Sequence, residues 1–147
     1  SCPETVEEPE ALSLGLNALW LLSEGKKDPR IVKSAFELRL MTILGYQPET
    51  EQCAYCGKEE PETPTLDLRG GALYCRECAL KAMAQRPMTL DTPSLLAIRH
   101  IVTSQRNSVF SFRVSDSGMR RLNDAAENYV KEQLERSFRT LDYYKSL

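Results

Sequence analysis

Two Cys-x-x-Cys pairs set 18 residues apart, Cys53-Ala-Tyr-Cys56 and Cys75-Arg-Glu-Cys78, constrain this chain more than any other feature. One such pair is common. Two in one small domain match a four-thiolate metal site, whose tetrahedral shell needs two ligand turns brought face to face. The flanking residues suit that reading. Gly57 permits the positive-φ turn of a knuckle whose backbone N–H groups face sulfur. Residues 79–85 are mostly good helix formers, which puts Cys75 and Cys78 at a helix start, where the helix dipole favours thiolate charge. Residues 65–69 and 72–74 read as two short strands joined by Gly70-Gly71. Knuckle, hairpin and helix together predict a zinc ribbon or treble-clef-like unit at about residues 52–85.

Other uses of four thiols remain open at this level. The chain opens without a secretory signal, which favours metal over disulfides, and no βαβ pattern surrounds either pair to suggest a thioredoxin-like redox site. Iron accepts the same thiolate geometry, so a small rubredoxin-like electron carrier is the alternative function. The only histidine, His100, lies 22 residues beyond Cys78. Four protein ligands then close the shell, and one zinc ion would be structural rather than catalytic. Without a triad, a carboxylate pair or a Gly-rich phosphate loop, no enzyme is expected. Cys2, outside the array, is expected to be free.

The rest of the chain reads as helix. Residues 11–24 are apolar around most of their circumference, which predicts a buried helix. Asp28-Pro29 supplies an N-cap and N1 proline for a second helix ending at Gly45, so the two should form an αα-hairpin. Thr92-Pro93 repeats the start signal for a third. Residues 108–114 alternate weakly and read as a short strand or an extended linker. Ser115 or Asp116 then caps a long helix with a 3.6-period stripe from Met119 to Phe138. The fold class is mainly α: a bundle of about four to five helices at residues 11–147 with the zinc unit inserted, preceded by an acidic, flexible leader at 1–10. With 147 residues and 41% hydrophobic content, one core is affordable without staples, and no run is long and apolar enough for a membrane span.

Charge is unevenly placed. Residues 1–10 carry four acids and no base, whereas residues 99–147 carry nine bases, seven of them arginine, against six acids. Glu127-Lys131, Glu132-Arg136 and Glu135-Arg139 are i,i+4 pairs that suit a solvated helix face. Arg113, Arg120 and Arg121 lack such matching, apart from Asp116 before Arg120, and are candidates for an external anion together with Arg136 and Arg139. Phe110-x-Phe112-Arg113 is the one stretch that could stack on bases, with core packing the plainer use.

Phe36-Glu37-Leu38-Arg39-Leu40 running to Leu44-Gly45-Tyr46, the two cysteine pairs, Leu66-Asp67-Leu68-Arg69-Gly70-Gly71 between them, and Arg136-Ser137-Phe138-Arg139-Thr140-Leu141-Asp142-Tyr143 form an ordered set. It resembles the C-terminal part of the bacterial recombination and repair protein RecO over nearly all of residues 12–145. The resemblance implies a non-catalytic mediator that works with RecR, helps load RecA on DNA covered by single-stranded-DNA-binding protein, and anneals strands. It implies zinc at Cys53, Cys56, Cys75 and Cys78, contact with single- and double-stranded DNA and with the acidic tail of the single-stranded-DNA-binding protein, and a cytoplasmic, nucleoid-associated place. It also implies a preceding OB-fold, which is expected to be absent from these residues.

Overall fold

A computed structural model describes residues 9–145, with side chains through Leu141; most of the acidic leader, with Cys2, lies outside the described residues. The described residues form five α-helices and a small sheet: α1 (Glu10–Glu24), α2 (Pro29–Ile43), β1 (Pro64–Asp67), β2 (Ala72–Cys75), α3 (Arg76–Lys81), β3 (Pro87–Thr89), α4 (Thr92–Thr103) and α5 (Asp116–Lys145). The bundle is mainly α, with the metal-type unit inserted between α2 and α4, as the sequence predicts.

Local chemistry sets the helix limits. Asp28 accepts from the Arg30 amide with Pro29 at N1 of α2. At α4 the cap is Asp91 rather than Thr92. Its carboxylate accepts from the Ser94 N–H while the Ser94 hydroxyl accepts from the Asp91 N–H, a reciprocal capping box that moves Thr92 and Pro93 inside the helix. Ser115 is the residue that caps α5, accepting from the Gly118 amide.

The core lies where α2, α4 and α5 meet over one face of the sheet, with Val32, Leu38, Leu66, Leu73, Ile98, Ile101, Leu122 and Tyr129 all fully or nearly fully buried. Polar ties fix the layers. Arg39 of α2, almost buried, donates to the carbonyls of Ile101 and Ser104 and so closes the C-terminal end of α4. The Tyr129 hydroxyl donates to the Tyr46 carbonyl in the loop after α2. A Cβ at Gly71, whose φ is +71°, would stand 3.2 Å from that hydroxyl, so the hairpin turn needs glycine for both conformation and room.

Three expectations change. α1 is a half-exposed helix, not a buried one. Leu14 and Ala18 face the core, but Leu12, Leu16, Leu19, Trp20 and Leu22 are all 46–65% exposed. An all-round apolar helix implies neighbours on every side, and α1 packs chiefly on α2. Of the two readings for residues 108–114 the linker holds and the strand does not: a short 3-10 turn at Arg106–Ser108 leads into irregular chain. There Phe110 is buried and Phe112 packs on the core and, tilted, against His100, so neither ring is a base-stacking platform. His100 is half-buried, its Nε2 within 2.7 Å of the Ser108 carbonyl. The sheet has a third strand, β3, antiparallel to β1 in the order β2-β1-β3.

Candidate metal centre

The knuckle is built first by backbone. Cys53 N–H donates to the Lys58 carbonyl and Gly57 N–H to the Cys53 carbonyl, a tight turn closed at Gly57 with φ +82°. Ala54 N–H donates to Leu73 on β2, which anchors the knuckle to the hairpin. On the other side β2 ends at Cys75 and α3 begins at once, which sets Cys78 in its first turn. The four Sγ atoms all lie within 4.8 Å of one another, with Cys56 and Cys75 3.6 Å apart. Four sulfurs each about 2.3 Å from one zinc ion stand roughly 3.8 Å apart, so the donor set fits a tetrahedral metal. Cys53 and Cys78 are buried and Cys56 faces solvent.

The protonation chemistry points the same way. Burial resists ionisation of Cys53, yet N–H groups of Cys56, Cys75 and Tyr55 aimed at its sulfur outweigh that and bring the thiol down to about 6. Cys75 is pushed up to about 12, by burial first and then by the neighbouring sulfurs, and Cys78 is raised for the same reasons. A cluster in which one thiolate discourages the next holds four negative charges only around a cation.

One residue the sequence did not single out braces this unit. Arg99 of α4 spends its whole guanidinium fork on the base of the knuckle: Nε donates to the Thr50 carbonyl, Nη2 to the carbonyls of Glu51 and Glu59, and Nη1 pairs with Glu60 at 3.0 Å. Both chain segments flanking the first cysteine pair are thereby lashed to the bundle. A lone arginine between Ile98 and His100 gives no sequence signal of this; only the return of the chain 40 to 49 residues away creates it. Asp67 is a second hidden organiser. Its carboxylate is buried and accepts from the amides of Arg69, Gln85 and Arg86, which joins β1 to the chain before β3.

The nominated arginines do not form one cluster. Arg113 is exposed before α5, and Arg120 is exposed on its second turn. Arg121 donates to the Thr89 carbonyl on β3 and Arg136 to the Arg69 carbonyl in the hairpin turn, and Arg139 is exposed one turn beyond. Glu132 does not simply serve Arg136. It is buried, and pairs with Arg69 at 3.0 Å and Arg86 at 3.2 Å. Beside Arg136 lies an open groove of about 520 Å³ lined among others by Tyr46, Gly71, Tyr129, Gln133 and Ser137. Among the described residues no helix is long and apolar enough to cross a membrane.

Comparison with known proteins places this geometry. The family model "Recombination protein O C terminal" matches residues 1–142. The chain is similar to proteins named DNA repair protein RecO: 29% identical over 136 residues to that of Acetivibrio thermocellus, covering 92% of this chain and 53% of the relative. It is 30% identical over 145 residues to that of a Thermoanaerobacter species, covering 98% and 57%, and 34% identical over 106 residues to that of Thermobifida fusca, covering 69% and 40%. The chain thus spans about half the length of the curated relatives it matches.

Proposed function

The chain belongs to the family of recombination protein O C-terminal regions, and from that membership we propose that it is the helical and metal-binding part of a DNA repair and recombination mediator. The observation that carries the reading is the family match across residues 1–142. The part is non-catalytic: it acts by holding partners, with RecR, single-stranded-DNA-binding protein and, indirectly, RecA as the proteins it serves, with single- and double-stranded DNA as nucleic-acid partners, and with complementary single strands as what it helps anneal. Its work is done in the bacterial cytoplasm, at the nucleoid.

Cys53, Cys56, Cys75 and Cys78 hold one structural zinc ion, which when bound supplies a cross-link between knuckle and α3 and neutralises thiolate charge. Arg113, Arg120, Arg121, Arg136 and Arg139 are the candidate contacts for DNA or for an acidic tail. The groove beside Arg136 suits a short acidic peptide with an apolar end, since Tyr46 and Tyr129 line it.

Titration of the chain with a labelled single strand, a duplex and an acidic-tail peptide at several salt concentrations tests the reading. Weak binding that falls steeply with salt is expected, and absence of affinity for all three overturns it. A colourless sample with one equivalent of zinc disposes of the iron-carrier alternative, which the family match does not favour.

A further inference from the structure

The arginines that the fold gathers on the sheet side of α5 are not the set that sequence spacing nominates. Arg69 comes from the β1–β2 turn, Arg86 from the segment before β3, and Arg136 and Arg139 from the distal half of α5. Buried Glu132, whose side chain is 6% exposed, lies beneath them: Arg69 Nε and Nη2 both reach its Oε1, and Arg86 Nε reaches its Oε2. Arg136 stands one turn above Glu132 and donates Nη1 to the Arg69 carbonyl; Arg139 follows three residues later on the same side. At the other end of the helix Arg121 is tied to Thr89 on β3. From Arg121 to Arg139 the row spans roughly 27 Å at the helical rise per residue.

One buried carboxylate needs one guanidinium for neutrality, and Glu132 has two. Arg69, Arg86, Arg121 and Arg136 are each held by part of the fork only, and Arg139 is exposed with no such tie among the described residues. Arg69 Nη1, both terminal nitrogens of Arg86, and Nε and Nη2 of Arg136 have no hydrogen-bond partner among the described residues. Of the acids nearby, Asp67 is buried on three amides and Asp91 caps α4, while Glu49 lines the groove with Arg136 and Glu135 is exposed four residues before Arg139. What solvent meets is a row of donors, four of them tied to an acceptor beneath and Arg139 extending it. Guanidinium groups fixed in place lose less freedom on binding than free ones.

We infer that this seam, Arg69, Arg86, Arg136 and Arg139 with Arg121 at its far end, is the track on which the chain holds a nucleic-acid backbone through successive phosphates. The inference rests on the DNA-binding reading above and names where that contact is made. An acidic peptide suits only the Arg136 end of the row, where Tyr46 and Tyr129 line the groove; the length from Arg121 to Arg139 suits a longer polyanion. The exposed Leu134, Phe138 and Leu141 of α5 lie at helical spacing on a different face from the Glu132–Arg136–Arg139 row. Phosphate contacts of this sort read no sequence.

The test is the salt dependence of binding to a single-stranded oligonucleotide of mixed sequence, for the whole chain and for the triple variant Arg86→Gln, Arg136→Gln, Arg139→Gln, whose side chains are exposed or half-exposed. The triple variant should melt as the parent does, bind on the order of tenfold to a hundredfold more weakly at low salt, and lose about two units from the slope of log K against log salt, at about 0.7 per phosphate on a single strand. Lys26→Gln with Lys27→Gln, in the turn between α1 and α2 and outside every contact named above, should leave the slope unchanged, and Arg113→Gln with Arg120→Gln, the candidate contacts outside the seam, should lose less of it than the triple variant. Glu132→Gln, which keeps the shape and removes the acid beneath the row, should bind more tightly. Unchanged slope in the triple variant, or an equal loss from the Arg113 and Arg120 pair, overturns the seam while the DNA reading stands. No binding by the parent overturns both, and loss by the triple variant of acidic-peptide binding alone assigns the arginines to a protein partner instead and overturns the track.

Discussion

Arg99 and Asp91 show how much of this molecule is decided by single polar side chains meeting backbone. The Arg99 fork donates to three carbonyls on both flanks of the knuckle, with its own side chain only 17% exposed. Arg99→Met should cost about 3 kcal/mol in chemical unfolding, and Arg99→Lys should recover little, since an ammonium cannot span carbonyls on both flanks of the knuckle. Asp91 caps α4. Burial disfavours its charge, but hydrogen bonds from Ser94 and the Arg121 charge outweigh that and hold its carboxyl below the ordinary 3.8. A depressed carboxyl stabilises above its unfolded pKa and loses that contribution as pH falls through the folded value. Asp91→Ala should therefore cost about 1 kcal/mol above roughly pH 4, and the gap to the parent should close on acidification below that; urea melts at a series of pH values measure it. The four cysteines were legible because metal ligation writes its demand into spacing. Arg99, Glu132 and Asp67 were not, because their partners are backbone groups and side chains distant in sequence, and nothing in the neighbouring letters marks them.

At the level of elements, pattern located helices well and their surroundings poorly. Leucines at nearly every turn of α1 announce a helix, but whether an apolar face is covered depends on what packs against it, which periodicity does not encode. Leu14→Ala should cost about 3 kcal/mol, as a cavity in the core, whereas Leu19→Ala on the open side should stay within roughly 0.5 kcal/mol; paired denaturation curves separate the two. β3 escaped notice because three residues, Pro87–Thr89, are too few to show alternation. The long α5 was legible in both type and stripe. Its charge pairs were not, since Glu132 turns inward to arginines of the sheet rather than along its own helix.

For the whole molecule, the inserted unit and the bundle behave as one body. Arg99 fastens the knuckle to α4, Glu132 and Gln133 fasten the hairpin turn to α5, and Leu66 and Leu73 of the hairpin are core residues. Removing the metal should therefore not melt a finger alone. Cys56→Ser, or a strong chelator, is expected to lower the single unfolding transition by about 3 kcal/mol, roughly 10 °C; calorimetry showing an unaltered main transition would mean that the bundle ignores its insertion.

The open side of α1 also has an optical consequence. The only tryptophan in the sequence, Trp20, is there, 61% exposed, far from the cysteines in sequence and on a helix that carries none of the arginines discussed above. Its emission should be that of an indole in water, red and readily quenched by iodide, and whatever comes to cover that side will turn it blue. The chain thus carries its own reporter for a contact that neither the metal site nor the arginine row would register.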